Sequence, residues 1–74
     1  MLALARRNIR VPDEVSVVGF DDLVMSRYTM PPLTTVGHSV YDVGVQSARA
    51  MLALLAGEAP RAELPQPELV VRES

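Results

Sequence analysis

Apolar and polar positions fall in blocks along this chain, and the blocks predict an order of elements. Leu2, Leu4, Ala5 and Ile9 are spaced as one helical stripe, with Arg6, Arg7 and Arg10 gathered toward its end, where cations suit the helix dipole. A helix is predicted over residues 1–10. It opens without a capping signal, so the pattern reads as a helix already under way where the chain begins. Val11-Pro12-Asp13-Glu14 is a connector, because proline disfavours helix at the residue before it. Val15 to Phe20 is a continuous apolar run. Such a run reads as a strand buried on both faces, as strands of parallel sheets are. It ends abruptly in Asp21-Asp22.

Leu23 to Pro32 reads as a loop or short helical turn whose apolar members are many for a solvated loop, and Pro31-Pro32 stiffens its exit. Leu33-Thr34-Thr35-Val36 is a short strand rich in β-branched residues. After Gly37-His38, Ser39-Val40-Tyr41-Asp42 resembles a capping box, with a carboxylate three residues after the cap. The helix it opens is predicted to run to about Ala56. Tyr41, Val45, Ala48, Leu52 and Leu55 form its core-facing stripe, and Gly57 is its C′ residue. Glu58 to Pro67 is a turn-rich connector, and Glu68 to Arg72 a last short strand.

Helices and strands in this order predict an α/β protein with parallel strands. Three strands and so little helix cannot cover both faces of such a sheet. The expectation is a fragment of a doubly wound protein. In open α/β sheets ligands bind beyond the carboxyl ends of strands, which is where Asp21 and Asp22 fall.

Composition narrows the chemistry. At 74 residues the chain is below the usual domain size, and a core this small is marginal. It has no cysteine, which excludes disulfides and thiolate metal sites, and one histidine, His38, which excludes a multi-histidine site within the chain. A carboxylate Mg²⁺ site stays open, and no cofactor is expected. The net charge is −2, and the seven basic residues are all arginine and scattered. Contact with a nucleic-acid backbone needs a concentrated basic face. Arg6, Arg7 and Arg10 come nearest, and a solvated helix end accounts for them. No run approaches the ~20 apolar residues of a membrane span, and there is no secretory leader pattern. The chain reads as cytoplasmic and soluble, with no membrane partner.

Three motifs carry a resemblance. Val11-Pro12-Asp13-Glu14-Val15-Ser16-Val17-Val18-Gly19-Phe20-Asp21-Asp22, then Pro31-Pro32-Leu33-Thr34-Thr35-Val36, then Leu69-Val70-Val71-Arg72-Glu73-Ser74 occur in the order and near the spacing of the C-terminal part of the lactose-repressor/galactose-repressor (LacI/GalR) family of bacterial transcription regulators. The chain resembles that part over essentially its whole length. The resemblance implies a periplasmic-binding-protein-like, two-lobed effector domain, preceded in such regulators by a helix-turn-helix that this chain lacks. Residues 1–74 would be the C-terminal part of the sensor domain. A small-molecule effector, commonly a sugar, would bind between the lobes. The regulator would be a homodimer or tetramer, and would meet operator DNA only through the missing N-terminal domain. Residues 1–35 would lie in one lobe, residues 36–39 would form a crossover, the helix from Val40 would lie in the other lobe, and the last strand would return.

On this plan Asp21 is the leading effector ligand. Its two carboxylate oxygens can accept from adjacent sugar hydroxyls. The alternative is a residue that caps the following turn. Asp22 reads as a turn residue. A paired-carboxylate Mg²⁺ site of a receiver or phosphoryl-transfer type is a weaker alternative. His38 falls where the crossover enters the cleft; many relatives carry Gln there, and His keeps hydrogen bonding while adding a titratable group. A hinge histidine facing water is the other reading. Val40 is placed to line the cleft, where some relatives carry an aromatic residue. Met25, Tyr28, Thr29 and Met30 would make a dimer contact, or fold over their own core. Arg72 could pair with a carboxylate of a neighbouring element, and reads rather as a solvated strand-end charge. Ser16, in mid-strand, and Ser39, a cap, do not look like nucleophiles, and no enzymatic motif is present. A periplasmic sugar-binding protein of a transporter is the alternative on the same fold.

Overall fold

The computed structural model describes residues 1–61 and 63–74. Ala62, inside the predicted second connector, lies outside the described residues. The order is α1 (Leu2–Arg6), β1 (Val18–Phe20), a 3-10 turn (Val24–Arg27), β2 (Thr34–Gly37), α2 (Val40–Leu55) and β3 (Glu68–Val70). Each predicted element is present, and most are shorter than predicted.

The stop of α1 has a local cause. Asn8 takes a left-handed φ of 56°. The amide of Asn8 donates to the Ala5 carbonyl at 3.0 Å and that of Ile9 to the Leu4 carbonyl at 2.9 Å. This pair is a Schellman closure with asparagine in the usual glycine place. Arg7 to Arg10 therefore lie past the helix, and Pro12 is not its terminator. The same closure ends α2: Gly57, at φ 76°, donates to Leu54 and Glu58 to Ala53. At the start of α2 the Ser39 hydroxyl accepts from the Asp42 amide at 3.2 Å, as the capping pattern predicts.

The sheet has the order β1-β2-β3 with β2 central. β1 and β2 are parallel, Val18 opposite Thr34 and Phe20 opposite Val36. β3 runs antiparallel to β2, Val70 opposite Thr35 and Glu68 opposite Gly37. This differs from the expectation of parallel strands throughout. The alternation of helix and strand shows that a connection exists, and composition does not encode the direction in which β3 then pairs with β2. Beyond β3 the chain passes the amino ends of β1 and β2. Ser74 is buried there: its hydroxyl donates to the Val17 carbonyl at 2.6 Å and accepts from the Thr34 amide at 2.8 Å.

What is buried is polar. Thr34, Thr35, Ser26 and Ser74 are buried, and among the described residues no large apolar side chain is. Val18 and Phe20, on one face of the run predicted to be covered on both, are 61% and 68% exposed, while Val17 and Gly19 on the other face are half-buried. Likewise Tyr41, Leu52 and Leu55, predicted to face a core from α2, are 79%, 65% and 77% exposed. The helix stands away from the sheet, and the molecule measures 59 × 16 × 14 Å. Its radius of gyration of 17.9 Å far exceeds the ~11 Å of a compact chain of this length. Among the described residues, no helix is long and apolar enough to cross a membrane.

Candidate functional site

The parallel pair gives the sheet a carboxyl end, and two short segments leave it. Asp21-Asp22 follows β1, and Gly37-His38 follows β2. The Asp21 amide donates to the Val36 carbonyl at 2.7 Å, and the Asp22 amide to the Thr35 hydroxyl at 3.2 Å. Asp21 and Asp22 both adopt left-handed backbone, with φ of 85° and 44°. Each such residue costs on the order of 1–2 kcal/mol, less for an aspartate than for a bulkier side chain. Two in succession persist only where neighbouring contacts hold them.

Beyond the Val36 carbonyl on the Asp21 amide, three contacts do so. The first is the hydroxyl of Thr35, a residue whose exposure is 0%. The second is Gly37: a Cβ built there would sit 2.5 Å from the Asp22 Cβ and 3.4 Å from its amide nitrogen. The glycine is what lets the turn lie against β2. The third is Arg72. Its Nη2 donates to the Asp22 carboxylate at 2.7 Å and its Nη1 to the Leu33 carbonyl at 2.7 Å. Its own amide donates to the Thr34 hydroxyl at 2.9 Å. The two paired side chains are only 14% and 24% exposed. This corrects the reading of Arg72 as a solvated charge. The partner is fifty residues away in sequence, so no local signal announces it.

The two acids are thus separated by structure. Asp22 is engaged with Arg72. Asp21 is exposed at the sheet's carboxyl end. A concavity of about 340 Å³ opens beside this end, lined by Asp22, Gly37, His38, Ser39, Asp42 and Glu68 among others. His38 is half-buried in its wall. Asp21 and Val40 are not among the lining residues; Val40 is 75% exposed on the first turn of α2. Structure therefore brings together His38 and Asp22, while Asp21 and Val40, each next in sequence to a lining residue, are exposed outside the lining. Ser39, Asp42 and Glu68 were not singled out from sequence as lining residues.

The loop between β1 and β2 is fastened from within. The Thr29 hydroxyl donates to the Ser26 carbonyl at 3.2 Å and the Pro31 carbonyl at 2.9 Å, and the Leu33 amide donates to Ser26 at 2.8 Å. Thr29 is used internally. Met25, Tyr28 and Met30 point outward, at 69%, 72% and 90% exposure.

Comparison with known proteins agrees with this frame. The family model described as a periplasmic binding protein-like domain matches residues 1–74. The chain is 40% identical to the probable HTH-type transcriptional repressor ExuR of Bacillus subtilis, covering 100% of this chain and 23% of that protein. It is 42% identical to the HTH-type transcriptional regulator GalR of Salmonella typhimurium, covering 100% of this chain and 22% of that protein. Among solved structures, a lac repressor dimer bound to operator and the anti-inducer ONPF superposes with a TM-score of 0.89 at 35% identity, over 99% of this chain and 26% of that one. A LacI family regulator from Arthrobacter in complex with lactose gives 0.86 at 28% identity, over 99% and 29%. The chain belongs to the periplasmic-binding-protein-like domain family, in its LacI/GalR branch. It spans about a quarter of the length of the relatives it matches.

Proposed function

We propose that this chain is the C-terminal part of the small-molecule-sensing and dimerisation domain of a bacterial transcription regulator. The observation that carries the reading is the parallel strand end at which an exposed Asp21, on a held left-handed turn, stands beside the His38 concavity, within a chain matched end to end by the family model. Asp21 would accept hydrogen bonds from hydroxyls of an effector, a sugar or related metabolite, with His38 and Val40 nearby. Gly37 to Ser39 would be a crossover between lobes, and α2 a helix of the second lobe, in keeping with its distance from the sheet. Effector would favour one arrangement of the lobes. That arrangement would alter dimer geometry and so operator affinity, a shift of populations that requires different effector affinity in the two states. The exposed Met25, Tyr28 and Met30, carried on a loop that Thr29 fastens, would meet a second copy of the chain. Operator DNA would be held by a helix-turn-helix outside these residues.

The reading is non-enzymatic. The relatives named above carry the names of repressors and regulators, and Asp22, needed for a paired-carboxylate Mg²⁺ site, is already paired with Arg72. In the full-length regulator carrying this segment, Asp21→Ala should abolish the change in operator affinity caused by effector and leave ligand-free operator binding within about twofold, because it removes an exposed carboxylate outside the DNA-binding domain and adds only on the order of 1 kcal/mol of local backbone strain at φ 85°. Gel-shift titration with and without effector measures both. Retained effector response in the mutant would remove the assigned role.

A further inference from the structure

We propose that Arg72 is a positioning residue for Asp21: by clamping Asp22 it fixes the left-handed turn that presents the Asp21 carboxylate. The value of that placement to binding rests on the reading of Asp21 as an effector ligand. The clamp itself does not.

Asp21 and Asp22, both at positive φ, relax to extended or right-handed backbone when released. Their amides are held by a carbonyl of β2 and a hydroxyl of β2. Neither contact restrains the Asp22 side chain. Arg72 does, and with a donor geometry that suits only arginine: one nitrogen of the planar fork takes the Asp22 carboxylate and the other the Leu33 carbonyl. The fork is itself anchored, because the Arg72 amide is held by Thr34 and the Glu73 amide by the Pro32 carbonyl at 3.1 Å. The bond is charge-assisted and mostly shielded from water. Arg72 therefore ties the chain after β3, the strand that returns from α2, to the turn after β1. A shift of β3 along β2 would be felt at Asp21 without any contact between Arg72 and a ligand.

The test is amide hydrogen exchange resolved to single residues, on the ligand-free full-length regulator that carries this segment. Arg72→Gln and Asp22→Asn should each speed exchange of the Asp21 and Asp22 amides about tenfold, the order expected from losing one shielded charge-assisted hydrogen bond. Amides of α2 should be unchanged. The double variant should exchange no faster than either single one, because both remove the same contact. Arg72→Lys, which keeps the charge and loses the fork, should fall between wild type and Arg72→Gln. Should Arg72→Gln fail to fold, Asp22→Asn and Arg72→Lys carry the same comparison. Unchanged exchange at Asp21 and Asp22, acceleration spread equally over α2, or a double variant equal to the product of the singles would each overturn the clamp. Expected exchange together with a normal effector response in Asp21→Ala would leave the clamp standing and remove the ligand role.

Discussion

Asp21 and Asp22 are chemically identical neighbours, and their surroundings give them different work. Asp22 lies against Gly37, receives Arg72 and has its amide on Thr35. Asp21 is held only through its backbone and keeps its carboxylate exposed. The position that tolerates least change is therefore Gly37. Gly37→Ala places a methyl group against the Asp22 Cβ and the backbone of both aspartates, none of which is a flexible side-chain end. It should destabilise the domain by about 1–3 kcal/mol, as overpacking does. Denaturant melts of the full-length regulator check this, and a change under about 0.5 kcal/mol would show that the turn does not lie against β2. At this scale the sequence was partly legible. The strand-end aspartates, His38 and the Ser39 cap follow from local pattern. Arg72 and Ser74 do not, because their partners Asp22, Val17 and Thr34 are distant in sequence. Thr34 and Thr35 read as β-formers, while each hydroxyl accepts from a backbone amide of another segment.

Among the elements, α2 is the most self-sufficient. It has a side-chain cap at one end and a Schellman closure at the other. It buries no residue within this chain. Its stability here must come from its own turns and caps, which makes it marginal at this length. Ser39→Ala should remove about 1 kcal/mol of that stability, within the usual range for a lost N-cap. Denaturant melts of the full-length regulator that carries this segment should show the loss, and an unchanged midpoint would mean that Ser39 does not cap. Helix periodicity and caps placed α2 to within a residue. They carry α1 four residues past its end, because the left-handed stop falls on Asn8 rather than on a glycine. Strand pattern found β1, β2 and β3 but not the direction in which β3 pairs with β2.

The whole molecule is an open piece of sheet with a helix standing off it. The apolar faces of β1 and α2, read from periodicity as core, face solvent in this chain. Periodicity tells which side of an element wants covering, and only the complete fold tells what covers it. The family match supplies a frame in which those faces belong to a larger two-lobed body, and the proposed sensing role needs that body, since a cleft has two walls. The 74 residues alone, with no buried apolar side chain among those described, should therefore not form a cooperative unit. Differential scanning calorimetry, with sedimentation velocity on the same sample, measures this. The expected result is no resolved heat-absorption peak, from a chain that is expanded or self-associated. A monodisperse monomer with a sharp two-state melt would contradict the account.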